Sequence, residues 1–218
     1  MRCRKPMTEL EAFDKFAPEY DDWFEGHHRE YALELRAIRE FIPKGGVGIE
    51  IGAGTGRFAQ PLEISLGIEP SAGMRNIALN RGVNVIAGTA ESIPVESGSY
   101  DFALLVTTLC FLESPEIAFN EVYRVLKDKG FIIIGMIDKD SRLGRKYKER
   151  RRESKFYRNA KFHSVVEVQE LLKKAGFSNF AYLQVMLPGD FKEEYEPEVK
   201  QGYGKGSFVV LRAQKYSA

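Results

Sequence analysis

Cysteine is nearly missing from this chain of 218 residues: Cys3 and Cys110 are the only two. They form no C-x-x-C and no metal-ligand spacing, so a disulfide framework is excluded and no metal site is expected. Histidine is as scarce, with three residues, His27, His28 and His163. No charge of one sign prevails, since 32 Lys and Arg stand against 31 Asp and Glu for a formal net charge of +1. The chain as a whole therefore has no pull toward nucleic acid or anionic membrane. No apolar run is long enough to span a bilayer. The opening MRCRKPMTELEAF is basic with no apolar stretch behind it, so no signal peptide is expected, and Met1 and Met7 both fit as the start. A reduced, cytoplasmic protein is the natural expectation. Asn and Gln are sparse beside a charged fraction of 29%, which leans toward a thermophilic source.

What is present is an ordered alternation. Thr8 and Glu11 make a capping box opening a short helix with Leu10 and Phe13, which Pro18 ends. A second helix is expected from His28 to Ile42, with Tyr31, Leu35, Ile38 and Ile42 on one buried stripe. PKGG breaks it. VGIEI then reads as a buried strand, followed by glycines and a short helix limited by Pro61. ISLGIE, VNVIAG, YDFALLVTT and GFIIIGMI read as four further strands. Between them lie a helix capped by Ser71 and ended by Gly82, and one opened by Ser114 and Pro115 that buries Ala118, Val122 and Val125. Ser164 and Glu167 cap a helix ending at Gly176, and FAYLQVML and SFVVLRAQ close the chain as an antiparallel couple. This alternation predicts an α/β fold: an open, Rossmann-like sheet, mostly parallel and seven-stranded, with an antiparallel last strand and helices on both faces. Ligands of such sheets bind at the carboxyl ends of the strands, where strand order reverses.

The first such end carries IEIGAGTGRF, residues 49–58. A dinucleotide fingerprint, G-x-G-x-x-G, would need its third glycine at position 57, which is Arg57; the glycine comes one residue early, at Gly56. No Gly-Lys-Ser/Thr follows, so a phosphate-gripping loop is excluded. A nucleoside without phosphates remains, its amino-acid tail along the glycines.

These residues resemble the class I S-adenosylmethionine-dependent methyltransferases, in particular the small-molecule group, most closely from Val47 to Gly130. The resemblance implies that cofactor. It implies that Glu50 orients the methionine end and that Gly52, Gly54 and Gly56 let the cofactor lie against the loop. Glu69, ending the second strand, would accept from both ribose hydroxyls. EPSAGM resembles the E-x-S-x-x-M segment, with Pro70 and Met74 near the adenine. GTAESIP resembles G-D-A-E-x-L-P, with Thr89 in place of the usual Asp and Ala90 and Glu91 keeping the pattern. FDKFAPEYDDWF resembles the A-x-x-Y-D signature, which would fold Tyr20 over the cofactor. One domain over 1–218 is expected: a helical cap at about 8–42, a cofactor-binding core at 47–138, a lid and substrate side at 139–206 and a last strand at 207–214.

Methyl transfer is an in-line displacement at a sulfonium and needs alignment more than a catalytic group. A general base is required only for a protonated acceptor, and the sequence spells none out. The acceptor, expected to be a small molecule, should lie over TTLCFLE, with Thr107 on the cofactor side and Thr108 and Leu109 against the acceptor. Asp138 reads as a helix cap rather than a base. His163 and Tyr157 are further substrate-side candidates, although a lone His is more often structural. The run from Asp140 to Phe162 crowds Arg and Lys between 142 and 158, with Tyr147, Phe156 and Tyr157 interleaved. It reads as a solvated helix covering the site, or alternatively as a cationic lid for an acidic substrate or RNA. An RNA methyltransferase, a non-catalytic cofactor-binding protein and a nicotinamide-dependent oxidoreductase are the rival functions. The stretch PGDFKEEYEPEVKQGYGKG is expected to be a flap or long loop.

Overall fold

A computed structural model describes residues 7–187 and 197–216. The chain opens with three helices, α1 (Glu9–Lys15), α2 (Ala17–Gly26) and α3 (His28–Arg39). The Thr8–Glu11 capping box is formed. Pro18 sits in the first turn of α2, so it starts that helix as well as closing the preceding one. Helix α3 stops at Arg39, three residues short of the expected Ile42, and Phe41 and Ile42 continue its packing as a turn.

The alternating part follows as β1 (Gly48–Ile51), β2 (Leu66–Ile68), α4 (Ala72–Asn80), β3 (Val85–Ile86), β4 (Tyr100–Val106), α5 (Pro115–Val125) and β5 (Leu126–Ile137). Then come α6 (Arg142–Arg150), α7 (Val165–Lys174), β6 (Phe177–Met186), β7 (Glu198–Gln201) and β8 (Phe208–Lys215). The helix expected after the glycines is absent: residues 54–63 form turns and a bend, with Glu63 at a φ of 54°. These turns bury Phe58 and Leu62 beside Ile38.

The strands form one sheet of eight, in the order β3-β2-β1-β4-β5-β8-β6-β7, one more than the sequence predicts. Strands β1 to β5 run parallel, and β8 is antiparallel to both β5 and β6. The added strand β7 pairs with β6 at the sheet edge. The flap expected over 188–206 falls in part outside the described residues. Among the described residues no helix is long and apolar enough to cross a membrane.

Alternation along the strands divides the core. Ile49, Ile51, Ala103, Leu105, Ile132 and Ile134 face α5 and α7, where Phe119, Val122, Val168 and Leu172 are fully buried. Phe102, Leu104, Ile133 and Val210 face Ala37 and Ile38 of α3 and Ala78 of α4. Strand order reverses between β1 and β4. The crevice at their carboxyl ends is therefore the place a ligand would enter.

Candidate functional site

The crevice starts where β1 ends. Ile51 pairs with Ile68 of β2, so Gly52 and Glu69 leave the sheet side by side. Gly52, Gly54 and Gly56 all have positive φ, of 75°, 54° and 78°. Their surroundings differ. A Cβ on Gly52 would lie 2.4 Å from the Thr108 side chain, and one on Gly56 would lie 2.8 Å from Val83. These two glycines permit close packing within the protein. A Cβ on Gly54 would meet nothing within 4 Å, so the backbone there borders open space.

Two buried carboxyls flank that opening. Glu69 accepts from the backbone N–H of Gly54 through Oε2 and of Ser71 through Oε1, both at 2.9 Å. Burial holds its pKa above the ordinary carboxylate range, against those two hydrogen bonds. Glu50, 1% exposed, points to the α3 side of the sheet, and its Oε2 has no hydrogen-bond partner. Burial first, and the like charge of Glu69 second, push its pKa well up. A buried carboxyl oxygen without a partner suits a cationic or N–H-bearing ligand group.

The helical cap is tied to the loop. Asp21 of α2 accepts from Arg57 at 2.7 and 2.9 Å and from Arg81 at 2.8 and 3.0 Å. The Tyr31 hydroxyl donates to the Arg57 carbonyl, and Arg81 donates to the Thr55 carbonyl. Asp14 accepts from the Ser71 hydroxyl at 2.7 Å and from the Gly73 N–H at 3.0 Å, fixing the start of α4. Tyr20 is thereby held over the crevice, its ring against Phe13, Phe24 and Phe156. Burial raises its hydroxyl pKa, with the Thr107 side chain bonded to it opposing the shift.

Of the adenine-side expectations, Met74 and Ala90 are buried and Pro70 and Thr89 are exposed. Glu91 is engaged within the protein: its Oε1 accepts from the Glu113 N–H at 3.0 Å and the Ser114 N–H at 3.4 Å. It caps α5 in place of the Ser114 side chain, which makes no capping bond.

At the end of β4, Thr107 has a φ of 52°, a strained conformation for a β-branched residue, of the kind that clusters at working sites. The Thr108 hydroxyl donates to the Val106 carbonyl at 3.1 Å and reaches the Gly52 carbonyl at 3.3 Å. Thr107, Leu109, Cys110, Met136, Tyr157 and His163 surround a cavity of about 20 Å³, room for a water molecule. His163 has an unpartnered Nε2 there, and burial lowers its pKa, so the imidazole is neutral. Asp138 accepts from the Asp140 N–H at 3.0 Å, and Ser141 rather than Asp138 caps α6.

A larger cavity, about 570 Å³, opens between α2, α3 and α6. Its walls include Trp23, His27, Glu30, Glu34, Ile137 and Tyr147. Glu34, which the sequence analysis does not single out, is 9% exposed and lines it. Helical spacing could have found it, three residues after Tyr31 and four before Ile38 on the buried stripe. The aromatic residues of the basic run turn inward. Phe156 stacks on Phe13, Tyr157 stacks on Phe111, and Tyr147 meets Tyr157 edge-on.

The chain is similar to known proteins over most of its length. A family profile described as a methyltransferase domain matches residues 49–134, from β1 into β5. A crystal structure from Thermotoga maritima, described as an SAM-dependent methyltransferase and possible histamine N-methyltransferase, is 46% identical. It covers 95% of this chain and 100% of its own, with a TM-score of 0.88. An uncharacterized protein of Methanocaldococcus jannaschii is 45% identical over 94% of this chain and 100% of its own length. One from Mycobacterium tuberculosis is 33% identical over 78% of this chain, which spans 61% of that protein.

Proposed function

This chain belongs to the S-adenosylmethionine-dependent methyltransferases, and we propose that it moves the methyl group of that cofactor to a small-molecule acceptor. The observation that carries the reading is the bare backbone at Gly54, open in front and flanked by the buried acids Glu50 and Glu69.

When bound, S-adenosylmethionine supplies a methyl group already activated by a positive sulfur. The chain's task is to hold, align and keep dry. The unpartnered Oε2 of Glu50 suits the amino-acid end of the cofactor, with Gly52, Gly54 and Gly56 beneath it. Each oxygen of Glu69 bonds one backbone N–H and keeps acceptor capacity for a ribose hydroxyl. Pro70, Met74, Thr89 and Ala90 form the adenine side; Glu91 supports that side through its hold on α5. Tyr20, kept protonated by burial, and Thr107 stand at the methyl end. Thr108, Leu109, Tyr157 and His163 are the nearest acceptor-side positions. Alignment of this kind can supply about 7–11 kcal/mol of a barrier.

A small acceptor is favoured over RNA by the inward turn of Tyr147, Phe156 and Tyr157, which occupies the rings that would stack on bases. The description of the Thermotoga protein makes an amine the first acceptor to try. The test is thermal unfolding with S-adenosylhomocysteine or NAD. A ligand at one hundred times its Kd adds about 2.7 kcal/mol of stability. Stabilisation by the first alone, followed by transfer of labelled methyl to an amine, is expected. Stabilisation by NAD alone would contradict the reading, and tight, salt-sensitive RNA binding would favour an RNA acceptor.

A further inference from the structure

We propose that the cavity between α2, α3 and α6 seats an amine acceptor whose nitrogen is gripped by the Glu34 carboxylate. The proposal rests on the methyltransferase reading and goes beyond it by giving the acceptor a seat and a charge partner in this chain.

The cavity's 570 Å³ falls in the usual range for small-molecule sites. Its chemistry is uneven. Trp23, stacked on His27 with ring centroids 4.0 Å apart, and Tyr147 supply aromatic wall. Such rings attract cations. Glu30 and Glu34 of α3 supply the acidic side chains, with Glu34 the deeper of the two.

Glu34 is the informative residue. It is nine-tenths buried and lines the cavity, and among the described residues it has no hydrogen-bond or ion-pair partner. A carboxyl kept in that state is costly unless something arrives to pair with it. Burial raises its pKa to about 8, and the charge acting on it is the like charge of Glu30. Arg142 and Lys146 of α6 also line the cavity, but both are exposed, and neither offsets the burial of Glu34. They suit the outer end of a ligand. A partner with N–H donors and positive charge at its inner end completes the site.

The position also fits. Tyr147 lines this cavity and meets Tyr157 edge-on, and Tyr157 lines the small cavity beside Thr107. Ile137 borders both this cavity and the small one beside Thr107.

The proton balance follows. At neutral pH the empty site holds Glu34 protonated, so pairing with an ammonium expels that proton to solvent. For transfer, the ammonium N–H bond breaks, its electron pair stays on nitrogen, and the proton passes to a Glu34 oxygen. The freed pair would then form the new bond to the methyl carbon as the carbon–sulfur bond breaks, its electrons staying on sulfur. A carboxyl titrating near the working pH is suited to both steps.

Calorimetry at pH 7, with S-adenosylhomocysteine present and buffers of different ionisation enthalpy, tests this without turnover. The probe is 2-phenylethylamine, with 2-phenylethanol and phenylacetate as controls. The amine should bind wild type at least tenfold tighter than either control and release close to one proton. Glu34→Gln should weaken amine binding at least tenfold, abolish the proton release and leave 2-phenylethanol unchanged. The proposal is overturned if wild type prefers the alcohol or the acid, if no amine binds, or if Glu34→Gln keeps the amine affinity. Should Glu34→Gln not fold, the wild-type preference and proton count decide alone. Failure of S-adenosylhomocysteine to bind wild type would instead sink the methyltransferase reading; cofactor binding without amine binding sinks only this one.

Discussion

Asp21 of α2 holds Arg57 of the glycine loop in a two-pronged ion pair, Nε to Oδ1 at 2.9 Å and Nη2 to Oδ2 at 2.7 Å. The same carboxylate takes Arg81, which follows α4. One acid thus joins the helical cap to both sides of the crevice, and it is largely shielded from solvent.

Removing Asp21 would leave Arg81 without a carboxylate and Arg57 with only Glu25, at 2.7 Å. Asp21→Asn is predicted to cost on the order of 3 kcal/mol, read by urea unfolding. The wild type carries a related pH signature. Burial pushes the Asp21 pKa up, and hydrogen bonds from Arg57 and Arg81 more than offset it, holding it at about 2, below its ordinary 3.8. The stabilisation is therefore complete above about pH 4 and fades as pH falls toward 2. Asp21→Asn should lose that part of the acid dependence; an unchanged acid limb would contradict the assignment.

Gly54 and Gly56 predict opposite phenotypes. Gly54→Val meets open space, so its cost to folding should be about 1–2 kcal/mol for the positive φ. Its binding of S-adenosylhomocysteine should fall at least a hundredfold. Gly56→Ala would drive a methyl into Val83 and should chiefly lower the unfolding temperature. Normal binding by Gly54→Val would remove the loop from the cofactor site.

Glu69→Ala should weaken cofactor affinity by about 1.5–3 kcal/mol, the range for hydrogen bonds to a charged group. It also strands the N–H groups of Gly54 and Ser71, so stability should fall with affinity. Loss of stability at full affinity would make Glu69 a purely structural residue.

The buried Glu34 carboxyl titrates near 8, above its ordinary 4.5. Its contribution is full below about pH 4.5 and is lost as pH rises through 8. Glu34→Gln should therefore unfold at a higher temperature than wild type at pH 9, with the gap closing toward pH 5. A constant difference across that range would mean that Glu34 is already paired.

The sheet core was legible because its strands are apolar runs and its helices carry caps: YDFALLV became β4, and Thr8, Ser71 and Ser164 cap helices through their side chains. Strand β7, with the sequence EVKQ, was not, because it joins the edge through backbone bonds and has no apolar signature. The turns after Gly56 mimic a helix in spacing, yet they fold to bury Phe58 and Leu62 against α3. The three glycines stand out by their spacing, whereas roles for Glu50 and Glu69 came only with the resemblance to the methyltransferase family. The Asp21 cluster could not, since its partners stand 36 and 60 residues away in sequence. Glu34 sat on a readable stripe, but an acid there reads as surface until the structure buries it.

A crystal structure with S-adenosylhomocysteine bound tests the central claim most directly. The account predicts the amino-acid tail of the ligand along Gly54, its amine within reach of Glu50 Oε2 and its ribose on Glu69. A ligand lodged elsewhere, with the space before Gly54 empty, would contradict it.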